Sequence, residues 1–78
     1  MGNKPFFIRA EWDEKARVWV ATSDDVPGLV AEDDSLENLI LRLKVMIPEL
    51  LSANGYNIED EMPFELLTRR FEIARPAA

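Results

Sequence analysis

The chain has seventy-eight residues with neither cysteine nor histidine, so disulfides, thiolate metal sites and the commonest acid-base side chain are all excluded. Nine basic against fifteen acidic side chains leave a net charge of −6, which opposes direct binding to nucleic-acid phosphates and suits a basic partner. No apolar run is long enough for a signal peptide or a membrane span, and the expectation is one cytoplasmic domain near the lower size limit for an unstapled core.

Met1 to Lys4 form a polar lead. It begins like an acylation signal, but Phe6 stands where a myristoylation site needs serine or threonine. From Pro5 to Trp12 the pattern alternates, with Phe6, Ile8, Ala10 and Trp12 on one side and Phe7, Arg9 and Glu11 on the other, as in a strand with one buried face. Asp13 to Ala16 is a hairpin connection. Arg17 to Ser23 returns as a second strand, with Val18, Val20 and Thr22 predicted to face inward and Arg17, Trp19, Ala21 and Ser23 outward.

Pro27-Gly28 is a turn, because proline presets φ for its first position and glycine tolerates the positive φ that follows. Leu29 to Glu32 is a short third strand at an edge. Ser35 then caps a helix starting at about Leu36, with Asp33 and Asp34 before it and Glu37 in the first turn, where negative charge meets the positive end of the helix dipole. Leu36, Leu39, Ile40, Leu43, Met46, Ile47, Leu50 and Leu51 fall within one stripe at helical spacing. Pro48 lies inside that helix and predicts a kink or break near Lys44 to Ile47. Leu41 and Val45 form a second, smaller apolar spot, read either as a contact for the C-terminal segment or as an association surface.

Asn54-Gly55 supplies the residue that ends the helix. Asn57 to Pro63 is an acidic connection, and Phe64 to Ala74 is a fourth strand whose row of Glu65, Leu67, Arg69, Phe71 and Ile73 is predicted to look inward. Arg75 to Ala78 is a loose tail. The elements make an α+β domain of order βββαβ: an antiparallel meander of three strands, one long helix, and a fourth strand parallel to the first. The predicted sheet order is 3-2-1-4 with the helix on one face.

Several stretches carry a family likeness. Trp12-Asp13, Val18 to Ala21, Asp24 to Leu29 and the Ser35 to Leu39 helix opening resemble the HicB-like antitoxin domain, closest to its small one-domain relatives of unassigned function. The resemblance runs from about Phe6 to Gly55. It implies a partial ribonuclease H-like fold and a bacterial antitoxin that covers the active surface of a small basic mRNA-cleaving toxin. Members of that family often carry a C-terminal DNA-binding module, for which this chain has no room after Ala74, so no direct nucleic-acid binding is expected.

Candidate sites follow from these faces. Phe7, Arg9, Arg17 and Trp19 make the best binding surface, since aromatics and arginine dominate interface hot spots. The competing reading puts Trp19 in the core, because a one-residue slip exchanges the faces. Asp24, Asp25, Asp33 and Asp34 make an acidic surface for a basic partner. A metal-dependent nuclease needs carboxylates from different strands converging on two metals. Here the acids flank a turn and a helix start, where capping and solvation account for them, so neither metal nor cofactor is expected. Arg69-Arg70 is the only adjacent basic pair, and consecutive strand residues point to opposite faces. The expected partners are a second copy, with a dimer favoured, and a small basic toxin.

Overall fold

A computed structural model describes residues 4–58 and 60–77. The polar lead at Met1 to Asn3, Glu59 of the acidic connection and Ala78 lie outside the described residues. The elements are β1 (Phe6–Asp13), β2 (Val18–Thr22), β3 (Val30–Asp33), α1 (Leu36–Ala53) and β4 (Phe64–Arg69). The sheet order is β3-β2-β1-β4, with β1–β2 and β2–β3 antiparallel and β1–β4 parallel. The βββαβ order and the mixed sheet match the reading of the sequence.

Each junction has a local cause. In the β1–β2 hairpin, Asp13 Oδ1 accepts the N–H groups of Lys15 and Ala16, its carbonyl accepts that of Arg17 at 2.7 Å, and Arg17 sits at φ +61°. Before β3, Gly28 at φ +83° lets Leu29 N–H donate to the Val26 carbonyl at 3.2 Å. A side chain at Gly28 would meet nothing closer than Leu50 Cδ2 at 3.8 Å, so it is the backbone angle that calls for glycine. Val26 and Leu29, on either side of the turn, are buried.

Ser35, extended at φ −124°, accepts the N–H of Asn38 on its hydroxyl at 3.2 Å and caps α1. Leu39, Leu43, Ile47 and Leu51 repeat every four residues and are all fully or almost fully buried; each such side chain contributes about 1.5–3 kcal/mol. Leu36, Ile40, Met46 and Leu50 flank them, half-buried. At the far end Gly55, at φ +86°, donates to the Ser52 carbonyl and Tyr56 donates to that of Leu51, the paired bonds of a left-handed helix stop. Of the kink or break expected near Lys44 to Ile47, the break does not occur, and α1 runs unbroken through Pro48. The carbonyl this proline leaves without a partner belongs to Lys44, an exposed residue that water can reach.

Two predicted strand faces are reversed. Trp12 pairs with Trp19 and Ala10 with Ala21, so Trp19 and Ala21 share the helix side with Ile8 and Ala10, while Val18, Val20 and Thr22 face away. Arg17 adopts the left-handed conformation within the connection and β2 begins at Val18, which sets that register. In β4 the parallel pairing of Phe6 with Phe64 and Ile8 with Leu66 turns Phe64 and Leu66 inward and Glu65, Leu67 and Arg69 outward. The strand also stops at Arg69, so the apolar weight of Phe71 and Ile73, which suggested the other face, lies beyond the sheet. The core between sheet and helix is Ile8, Ala10, Trp19, Ala21, Val26, Leu29, Ala31 and the buried row of α1.

Candidate functional site: the uncovered sheet face and the C-terminal arm

The helix covers one side of the sheet. On the other side, cross-strand pairing sets out rows: Val30, Thr22, Arg9 and Leu67 in one, Glu32, Val20, Glu11 and Arg69 in the next, with Phe7 beside Glu65. Arg9 lies over the Phe7 ring at 5.9 Å. The face is thus a mixture of apolar side chains and ionic groups, the composition of a hydrated association surface rather than of a core. Val30 and Leu67 at its two margins are 65% and 55% exposed.

Beyond β4, residues 70–77 continue as an arm without regular secondary structure. Arg70 anchors its root: the guanidinium lies 4.3 Å from the centre of the Trp12 ring and 5.9 Å from that of Trp19, and it pairs with Glu72. The indoles pack edge to face at 5.3 Å, Trp12 Nε1 donates to Glu14, and Arg17 bonds Glu14 and approaches Trp12 at 5.6 Å. Past this anchor, Phe71 and Ile73 are 83% and 62% exposed.

The predicted site residues therefore separate. Trp19, at 9% exposure, belongs to the core and not to a surface. Phe7 and Arg9 lie on the open face, and Arg17 sits at the hairpin end beside Trp12. Leu41 and Val45 are exposed on the outer side of α1, so the C-terminal segment does not cover them. No composition or spacing signal brings Val30 or Leu67 forward; only strand register shows them on the open face.

The four aspartates also divide. Asp25 Oδ2 accepts the Phe7 N–H at 2.7 Å, while Ser23 Oγ donates to the Phe7 carbonyl at 2.6 Å and accepts the N–H groups of Asp25 and Val26. This loop supplies Phe7 with the hydrogen bonds a neighbouring strand would have given. Asp33 accepts the Ser35 N–H and pairs with Arg42 Nε at 2.9 Å. The Arg42 hydrogen bond holds its carboxyl below the usual aspartate value. Asp25 and Asp33 thus serve the fold. Asp24 and Asp34 are exposed.

Glu11 and Glu65 share the open face, whereas Glu65 was expected inside. Among the described residues no group of three or more acids is placed to hold a metal ion. A cavity of about 410 Å³ between the end of α1 and the 56–63 connection is lined by Phe6, Leu51, Ile58 and Met62 with Lys4 and Asp60 among its polar groups. Among the described residues no helix is long and apolar enough to cross a membrane.

The family model of a domain of unknown function, DUF1902, matches residues 5–76. The chain belongs to the DUF1902 family. This DUF1902 domain is similar to the crystal structure of a hypothetical protein from the extremely thermophilic bacterium Thermus thermophilus. The two are 45% identical, with 91% of this chain and 97% of that one covered and a TM-score of 0.70. No curated protein matches this chain.

Proposed function

We propose that this DUF1902 domain is a non-enzymatic protein-binding module. The observation that carries the reading is the distribution of large apolar side chains: Val30, Leu67, Phe71 and Ile73 are all more than half exposed, along one uncovered face and the arm that continues from its margin. Exposed apolar surface of this kind marks an association site.

In its specific form the reading is a HicB-type antitoxin that neutralises a small basic mRNA-cleaving toxin. Its supports are the resemblance of the Asp24 to Leu29 turn and the Ser35 to Leu39 helix opening, and the excess of acidic side chains. The test is capture from native extract, with mass spectrometry of what is retained. A small basic partner at fixed stoichiometry is expected, and its affinity should fall on charge reversal at Asp24 and Asp34. Asp25 and Asp33 are unsuitable targets, since their loss would injure the fold. Unchanged affinity in the folded Asp24→Lys/Asp34→Lys variant would remove the acidic surface from the reading. A second reading, self-association without a toxin, is favoured by the exposed arm and by the Leu41–Val45 spot.

A further inference from the structure

We infer that the C-terminal arm, residues 70–77, docks on the uncovered sheet face of a second copy of this chain, Phe71 and Ile73 seating beside Val20 and Leu67. The inference rests on the self-association reading and names the element that carries it. Four features of the molecule converge on it.

The first is shape. The Cα radius of gyration is 15.1 Å and the principal extents are 58 × 27 × 19 Å, whereas a folded chain of this length has a radius of gyration of about 11.5 Å. The arm has no regular secondary structure and leaves its own apolar side chains, Phe71 and Ile73, exposed. The second is charge. The arm carries Arg70 and Arg75 against Glu72, a balance of +1, so with a total of −6 the rest of the chain carries −7. A basic apolar arm on an acidic body is complementary to a copy of itself. Glu11, Glu32 and Glu65 lie on the open face to meet Arg75 of the incoming arm.

The third feature is reach. Eight extended residues span up to about 26 Å, and four strands cover about 19 Å at ~4.8 Å between neighbours, so one arm crosses the whole face. The fourth is area. That face projects roughly 300 Å² for strands of about five residues, well short of the ~800 Å² per partner of a standard stable interface. Two bare faces pressed together would be inadequate. Exchanging two arms adds eight residues from each copy, including the exposed Phe71 and Ile73 that continue the outward row of β4.

The experiment compares native mass across concentration for the wild type and for the Phe71→Asp/Ile73→Asp variant. The wild type is expected at twice 8.9 kDa. The variant, whose altered side chains touch little in the monomer, is expected to keep its circular dichroism while its dimer dissociation constant rises by about 30-fold or more, the effect of losing one interface hot spot. A second measurement locates the arm. Because the chain has no cysteine, a nitroxide on Ala77→Cys is unique, and mixing that protein with isotope-labelled wild type should broaden the amide signals of Val20, Leu67 and their neighbours. A wild type that stays monomeric overturns both the arm and the self-association reading. A dimer equally tight in the double variant leaves self-association standing and overturns the arm. Broadening confined to α1 or to the outer edge of β3 overturns the docking face.

Discussion

The half of the molecule under α1 and the half around β4 use the same kinds of side chain to opposite ends. Beneath the helix, Trp19, Ala21, Leu29 and Ala31 are buried against the row Leu39, Leu43, Ile47 and Leu51. Around β4, Leu67, Phe71 and Ile73 face outward, more than half exposed. Hydrophobicity is similar in the two places, so it is register and the extent of the helix that decide which apolar side chains become core. The first region stabilises the domain by itself; in the second the apolar side chains stay open to solvent.

Truncation in each half breaks the comparison most sharply. Trp19→Ala removes a core indole that packs on Trp12 at 5.3 Å and should cost about 3–5 kcal/mol, enough to unfold much of so small a domain. Leu67→Ala, on the open face, should stay within about 0.5 kcal/mol in the monomer. Urea titration of dilute samples measures both. Similar losses would mean that the open face is covered in the monomer.

An intermediate effect is expected where the two halves meet at Phe7. Ser23→Ala deletes the donor to the Phe7 carbonyl and the acceptor for two loop N–H groups, and should cost about 1–3 kcal/mol. Hydrogen exchange at Val26 and at Phe7 should rise with it, while exchange in the middle of α1 changes only by the global amount. Selective loss at the α1 centre would show that this loop does not fasten β1.

These cases show which parts of the architecture could be read in advance. The Pro27-Gly28 turn, the Ser35 cap, the α1 stripe and the strand order were legible because each depends on local conformational preference or helical period. The faces of β2 and β4 were not. Both rows of β2 carry apolar side chains, and the choice between them depends on one residue, Arg17, adopting a left-handed conformation that no composition signal announces. In β4 the misleading weight came from Phe71 and Ile73, which look like core in a strand and lie outside the sheet. The candidate site was legible only in part for the same reason. Phe7, Arg9, Leu41 and Val45 lie on the surface, whereas Trp19 followed its strand inward, and Asp25 and Asp33 took up hydrogen bonds that link segments distant in sequence.

The left-handed residue offers a smaller, stabilising test. Arg17 at φ +61° bears a penalty of about 1 kcal/mol that glycine avoids, partly offset by its exposed contacts with Glu14 and Trp12. Arg17→Gly should therefore raise the thermal midpoint slightly and leave the Trp12–Trp19 pairing unchanged, as judged by tryptophan fluorescence. A drop in the midpoint would give the ion pair and the cation–π contact more weight than the backbone.

The smallest expected effect is electrostatic and sits on the covered side, where Asp33 joins the end of β3 to α1. The Arg42 hydrogen bond lowers its folded-state pKa from the usual 3.8. A carboxyl with a depressed folded value contributes stability that is present above the unfolded value and is lost as pH falls through the folded one. Asp33→Asn retains an oxygen to accept the Ser35 N–H while removing the charge that Arg42 meets, so the variant isolates the ionic part. The stability difference between wild type and Asp33→Asn should be constant from pH 7 to 5 and shrink below about pH 4, leaving the shared loss of the other carboxylates as background. The Arg42 side chain is 59% exposed, so the same difference should also diminish in 1 M salt, where charges are screened beyond about 3 Å. A difference independent of both pH and salt would assign the clasp to hydrogen-bond geometry alone, and the β3–α1 junction would then be held as the Phe7 junction is, by local bonds rather than by charge.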